Sequence, residues 1–315
     1  MSVKLLRKSL ALGALALGLA LPGSANAIDI IPGDYTAMPS GTTLGLLYFG
    51  FSDNSNLRIN NTKIPDSKYS VATVIPRILH YSEIAGVPIA IQAFIPVGKF
   101  TDHKVGGFDA EKNNGVGDLV GGFTVFGLTG ADKPGGTTAG LTGYVSAPTG
   151  KYDIDRPFNI GSGTWTFFPQ LGVIQNLGNG FFLDLAADVT FYKDFRDDHA
   201  LFGGSKVKIK QNETYQLQGY LRYNFSPATY IATGYNGRFG GAQSIEGVRT
   251  GLKTDSDGLR AFAGTFITPT IQLTAVAGVD VSRAKGGFRN DFTGQIRLLK
   301  LFAPQPASPV LVTKY

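Results

Sequence analysis

FFLDLAADVTFY, residues 181–192, alternates with a period of two. Phe181, Leu183, Leu185, Ala187, Val189 and Phe191 share one parity; Asp184, Asp188 and Thr190 fall on the other. In an extended strand successive side chains point to opposite faces, so this run has one apolar and one polar wall. The pattern recurs in TYQLQGYLRYNF (214–225), IQLTAVAGVDV (271–281) and DFTGQIRLL (291–299). About twelve such segments are readable, at 41–52, 67–80, 86–99, 115–128, 138–148, 163–176, 180–194, 211–225, 229–240, 257–268, 270–284 and 289–302. Many exceed the ~5–6 residues of an ordinary globular strand and suit the ~9–11 that cross a bilayer at a tilt.

Loop lengths carry an independent signal. After segments two, six, eight and ten the connections are short, around 82–85, 177–179, 226–228 and 269. After segments one, three, five, seven and nine they are mostly long and polar: 53–66, 100–114, 149–162, 195–210 and 241–256. Two connections blur the rule, 129–137 and 285–288. Long loops at one end and short turns at the other belong to an outer-membrane barrel, with both termini on the short-turn side. The expected fold is therefore all-β, a transmembrane antiparallel up-and-down barrel of about twelve strands. Closure removes the unpaired edges that such ribbons otherwise present. A secreted β-sandwich or closed soluble barrel shows the same alternation with its apolar faces turned inward. Strand length, loop asymmetry and aromatic placement favour the membrane form. Tyr48, Phe49 and Phe51, then Trp165, Phe167 and Phe168, then Phe181 with Phe182 and Phe225 with Tyr230, stand where interfacial belts are expected.

The first residues explain how such a chain reaches an outer membrane. Lys4, Arg7 and Lys8 precede an apolar run, Ser9 to Leu21, and Ala25-x-Ala27 supplies small residues for cleavage. This reads as a secretory signal peptide cut after Ala27. The leader carries three basic residues and no acidic one, so the formal charge falls from +6 to +3 on cleavage. That balance gives no support to a nucleic-acid partner. The absence of cysteine suits an exported chain without disulfides or thiolate–metal sites. The rest divides into a segment 28–40 that is either a periplasmic lead or a plug in the lumen, a barrel 41–302 and a tail 303–315.

FIPVGKF (94–100) and SAPTGKYD (146–153) repeat one phrase. Pro96 and Gly98 are expected to end the third strand at 96–99, and Pro148, Gly150 and Tyr152 to follow the end of the fifth. Proline lacks the N–H of a ladder, glycine permits a sharp turn, and an aromatic suits the interface. Lys99 and Lys151 stand where outer-leaflet lipid and lipopolysaccharide phosphates lie, or are ordinary turn lysines.

From Gly115, in GVGDLVGGFTVF, the chain resembles the outer-membrane proteins associated with the meta-pathway of phenol degradation. Gly115, Gly117 and Asp118 match that family's Gly-x-Gly-Asp, and Pro148, Gly150 and Tyr152 its Pro-x-Gly-x-Tyr. Asn159, Gly161 and Gly163 match the following Asn-x-Gly-x-Gly, with Pro169 in the next strand. The resemblance implies a β-barrel channel passing small hydrophobic or aromatic solutes. The chain departs from a simple barrel at its end, where APQPASPVLVTKY follows Phe302; Phe302 or Tyr315 serves the barrel-insertion machinery.

With apolar faces against lipid, the polar faces line a lumen. They contribute Arg77, Gln92, Asp118, Asp184, Asp188, Arg222, Arg238, Asp280, Asp291 and Arg297, which brace the barrel by ion pairs or orient the polar ends of a solute. Catalysis finds no constellation: Gly-x-Ser-x-Gly is absent, and His80, His103 and His199 lie in different segments without metal-ligand spacing. TDSDG (254–258) holds a fragment of calcium-loop spacing only, and GVGDLVG precedes no helix. No cofactor or metal is expected. The expected function is passive uptake of small hydrophobic or aromatic compounds; the alternatives are a non-selective porin for polar solutes and a closed structural or adhesive barrel.

Overall fold

The computed structural model describes residues 28–200, 203–282 and 284–302. The leader and the tail with Tyr315 lie outside the described residues. Twelve strands form one antiparallel sheet closed on itself. They are β1 Thr43–Ile59, β2 Lys68–Ile84, β3 Val87–Phe94 with its continuation Val97–Val105, β4 Leu119–Thr129, β5 Thr137–Ala147 and β6 Thr166–Gly178. Then come β7 Phe181–Tyr192, β8 Thr214–Asn224, β9 Thr229–Gly240, β10 Thr254–Thr268, β11 Ile271–Asp280 and β12 Gly287–Phe302. Each pairs with its sequence neighbours, and β12 returns to β1 in register from Thr43↔Phe302. That pairing closes the barrel at Phe302.

Exposure decides which wall faces lipid. Ile78 and Leu141 are each 56% exposed on the outside, whereas Gln170 and Gln216 are fully buried. A soluble sandwich or soluble barrel demands the reverse. The structure overturns those alternatives: the aliphatic wall is outermost and the hydrogen-bonding groups are internal. This is the only stable arrangement in hydrocarbon, where an outward Arg near the midplane costs roughly 2–4 kcal/mol.

The aromatic pairs split between the two walls. Phe49, Phe51, Trp165, Phe167, Phe181 and Phe225 are exposed on the outside, as an interfacial belt requires. Tyr48, Phe168 and Tyr230 are buried inside, and Phe182 packs against the inner cluster. The expectation that all ten belong to the belt fails for these four, because neighbours in a strand necessarily face opposite ways.

The repeated phrase also needs correction at its first copy. β5 ends at Ala147, just before Pro148, but the third strand does not end at Lys99. It breaks at Ile95 and Pro96, then resumes as Val97–Val105, pairing with Lys68–Val74 of β2. On its other side β4 gives way to Gly115 and Val116, which pair with Gly98 and Val97. Pro96 therefore marks a change of partner. It can donate nothing to the ladder, but its carbonyl accepts from Gly117 N at 2.7 Å.

Beyond the long-loop end the chain builds more structure. Phe195–His199, Ser205–Gln211, Gln243–Ile245 and Val248–Arg249 form a four-stranded sheet. It packs Val207, Ile209 and Ile245 on Ile154 of the loop after β5. Over the mouth, Phe100, Phe158 and Phe288 surround Tyr69 at ring separations of 6.0, 5.3 and 4.9 Å. Leu57, Val71 and Leu252 complete that apolar cap.

Candidate functional site

Most of the charges on the inner wall of the barrel are paired. On β7 and β8, Arg222 Nε donates to Asp184 Oδ2 at 2.8 Å, both side chains being buried. On β10 and β11, Arg260 faces Asp280 at 4.0 Å. On β2 and β3, Arg77 donates to the Gln92 amide oxygen and, at 3.2 Å, to the Tyr48 hydroxyl. Cross-strand register makes a continuous row of Gln170, Asp188, Gln216 and Arg238 over β6 to β9. Buried polar side chains in such number are stable only when they satisfy one another.

The N-terminal segment supplies the remaining partners. Arg238 Nη2 donates to Asp29 Oδ1 at 2.5 Å, and Gln216 and Asn236 donate to the same oxygen at 2.6 and 2.9 Å. Arg297 Nη1 donates to Asp34 Oδ1 at 2.6 Å. Backbone N–H groups join in: Ile30 donates to Gln218 Oε1 and Gly33 to Asp184 Oδ1, each at 2.9 Å. The Tyr35 hydroxyl sits 3.0 Å from Thr142 Oγ1 and donates to Gln170 Oε1 at 3.1 Å. Its ring lies on Gly172 of β6 so closely that a Cβ there would stand 2.0 Å from a ring carbon. Only a glycine admits this contact. Ile30 and Ile31 are buried among Tyr48, Tyr81, Tyr220 and Phe262.

Two cavities flank this segment. One, of about 440 Å³, lies toward the aromatic cap and is bordered by Ile28–Ile31, Tyr48, Phe94, Phe168, Tyr220 and Phe262. The other, of about 330 Å³, opens toward the short turns and is bordered by Pro32–Asp34, Met38, Leu44, Tyr81, Tyr230 and Leu299. Arg77 and the isoleucines' neighbours between them leave only a small void, of about 20 Å³.

The expected residues are thus placed as follows. Arg77, Gln92, Asp184, Asp188, Arg222, Arg238, Asp280 and Arg297 are turned inward. Asp291 stands half-exposed near the long-loop mouth, 3.9 Å from Arg289. Asp118 borders the upper cavity, but its carboxylate holds loop backbone. Its Oδ1 accepts from Gly150 N at 2.9 Å, and its Oδ2 from Ser162 N and Oγ at 2.8 and 2.6 Å. Asn159 accepts from Asp153 N at 3.1 Å and donates back to the Asp153 carbonyl at 3.0 Å. The three glycine-rich motifs therefore converge in one knot beside the mouth. Tyr152 packs into it against Phe195, and burial pushes its phenol well above the ordinary value.

Sequence reasoning passed over Asp29, Asp34, Arg260, Gln170 and the inner aromatics Tyr81, Tyr220 and Phe262. Tyr220 had a signal: it shares the parity of Gln216 and Gln218. Asp29 and Asp34 lie in a stretch without period, which says nothing about where side chains point. His80, His103 and His199 remain apart. His80 meets Thr43, His103 meets the Ala110 carbonyl, and His199 lies 2.8 Å from Asp155 in the loops.

A sequence profile of the family described as "Putative MetA-pathway of phenol degradation" matches residues 49–293. Among solved structures, an outer membrane channel from Pseudomonas putida F1 superposes with a TM-score of 0.79 at 27% identity, covering 87% of this chain and 100% of that one. The transport unit of the autotransporter AIDA-I from Escherichia coli gives a TM-score of 0.51 at 10% identity, covering 93% and 99%. That second likeness concerns the barrel fold alone. No curated protein matches the chain.

Proposed function

The chain belongs to the outer-membrane family associated with the MetA pathway of phenol degradation, and from that premise we propose that it passes small hydrophobic or aromatic solutes down their gradient. The observation that carries the proposal is the lining of the upper cavity. Tyr48, Phe94, Phe168, Tyr220 and Phe262 offer ring faces and edges to a flat solute, while Arg238 and Asp280 stand at its border with their charges already engaged. Aromatic walls hold aromatic solutes by area and ring geometry, and a few placed polar groups orient them. Side chains already hydrogen-bonded to one another leave few donors and acceptors for a sugar, and the paired charges attract an ion weakly. The full-length likeness to an outer membrane channel supports the transport reading.

In this reading Arg77, Gln92, Asp184, Asp188, Arg222, Arg238, Asp280 and Arg297 brace the passage, with Asp118 and Asp291 near its mouth. Residues 28–38 act as a plug between the two cavities, and a solute crosses when the plug gives way.

Uptake measured in vesicles whose outer leaflet is lipopolysaccharide tests the proposal, because that leaflet slows unaided diffusion of hydrophobic solutes. The protein is expected to accelerate uptake of a labelled monoaromatic and to leave a disaccharide at the protein-free rate. Equal acceleration of both means a non-selective pore. Acceleration of neither means a structural barrel.

A further inference from the structure

Among the described residues, four interior aspartates each face an arginine: Asp29 faces Arg238, Asp34 Arg297, Asp184 Arg222 and Asp280 Arg260. Asp188 does not. It is 7% exposed, its Oδ2 accepts from Gln170 Nε2 at 3.1 Å, and its Oδ1 is buried with no hydrogen-bond partner. The interior arginine without an aspartate, Arg77, is held by Gln92 and Tyr48 on the far side of the barrel. Arg238, two strands along the same row, attracts Asp188 from a distance but is in contact with Asp29. A buried carboxylate with no cation in contact is costly, so the site calls for one.

The structure places the source of one beside it. Gln170 Nε2, which binds Asp188, also donates to the Ile28 carbonyl at 2.9 Å, and Gln218 Nε2 donates to that carbonyl at 3.2 Å. Ile28 is thereby fixed in the same row as Asp188. It is also the residue that follows the Ala25-x-Ala27 cleavage motif. Hydrolysis of the Ala27–Ile28 peptide bond by signal peptidase adds one water. It leaves a carboxylate on Ala27 and an amine on Ile28, protonated at neutral pH.

We propose that the α-ammonium of Ile28, created when the leader is removed, docks on Asp188 and completes the internal charge balance. Processing then does more than release the chain from its leader. It makes the third ionic anchor of residues 28–38, beside Asp29–Arg238 and Asp34–Arg297. The uncut chain, whose Ile28 nitrogen is a neutral amide, has no such group. The inference concerns how the segment is seated and does not depend on which solute passes.

The test begins with mass spectrometry of the amino-terminal peptide of the purified protein, expected to start at Ile28. Any other start overturns the proposal. The folded protein in detergent is then treated with an amine-specific acylating reagent near neutral pH, and labelling of the α-amine is followed by peptide mapping. An ion pair that raises the amine's pKa by one unit lowers its reactive fraction about tenfold. The wild type is therefore expected to label at least about tenfold more slowly than the urea-unfolded chain, and Asp188→Asn to lose most of that protection. Should Asp188→Asn fail to fold, a variant with Gly-Gly inserted between Ala27 and Ile28 keeps every interior side chain while moving the ammonium off the carboxylate. It too is expected to label fast. Labelling of the folded wild type at the unfolded rate, or undiminished protection in the variant, rules the ion pair out.

Discussion

Asp118 shows how much a single carboxylate can organise. It accepts three hydrogen bonds from a loop thirty or more residues further on, and it is 2% exposed. Replacing it with alanine leaves the Gly150 and Ser162 N–H groups without their acceptor. Bonds to a charged group are worth about 1.5–3 kcal/mol each, so a loss of at least about 3 kcal/mol from the knot is expected. Because the knot lies beyond the barrel, Asp118→Ala should sharply increase proteolytic nicking within 149–162 while the barrel keeps its heat-resistant gel mobility. Gly150 is the steric counterpart. A Cβ there would stand 2.6 Å from the Gly117 carbonyl carbon, so Gly150→Ala is expected to cost about 1–3 kcal/mol and to open the same loop. Unchanged nicking in both variants would show that the loop is held elsewhere. The three motifs were visible in the sequence as glycine-rich phrases, but their meeting was not. Spacing along the chain carries no information about which loops touch, and Asp118 reads equally as a lumen residue until Ser162 is found against it.

At the scale of the strand, parity carried most of the fold. Leu217 and Leu221 outside, Gln216 and Gln218 inside, follow directly from the order of residues in β8. Leu217→Arg is accordingly expected to lower stability in lipid vesicles by about 2–4 kcal/mol, measured by equilibrium urea unfolding. The expected figure for the same substitution in a barrel with its apolar wall inward is a core disruption that detergent cannot relieve. A variant as stable as wild type would contradict a lipid-facing position for Leu217. Strand ends were poorly legible for a physical reason. β1 continues to Ile59 as SDNSNLRI, above the bilayer, where water wets both faces and selection for alternation lapses. The run 53–66 therefore reads as loop although Asp53–Ser55 pair with both β12 and β2, and Arg58 and Ile59 pair back on Thr62 and Lys63. The third strand fails differently. Pro96 is a true break in the ladder, but β2, already paired with the strand from Ile84↔Val87 to Arg77↔Phe94, takes up the pairing again beyond it at Val74↔Val97; a proline read in the sequence does not show that the neighbouring strand runs on past it.

For the whole molecule the decisive relation is between the barrel and the segment inside it. Residues 28–38 hydrogen-bond to strands β5 to β9 and to β12, and lie between cavities of about 440 and 330 Å³. If they are the plug, their removal must join those spaces. Deleting 30–38, which leaves the Ala27–Ile28 junction intact, is expected to raise single-channel conductance in planar bilayers to a stable higher level. A gentler change separates gating from scaffolding. Asp34 is 14% exposed and Arg297 4%, so Asp34→Asn leaves a buried guanidinium without its anion. Breaking such a pair costs about 3–5 kcal/mol, charged here against the seated position and not against the barrel, whose strands are untouched. At about 1.4 kcal/mol per tenfold, a seated-to-unseated ratio falls more than a hundredfold. Asp34→Asn should therefore show brief openings to the level of the deletion variant, at unchanged thermal stability. Gly172→Ala, which removes the seat of the Tyr35 ring, should do the same by sterics without altering any charge. Agreement between an electrostatic and a steric lesion at opposite sides of the lumen would identify the segment as the moving part. Equal conductance in wild type and deletion would place the passage elsewhere, and the ion pairs would then be braces of a closed interior.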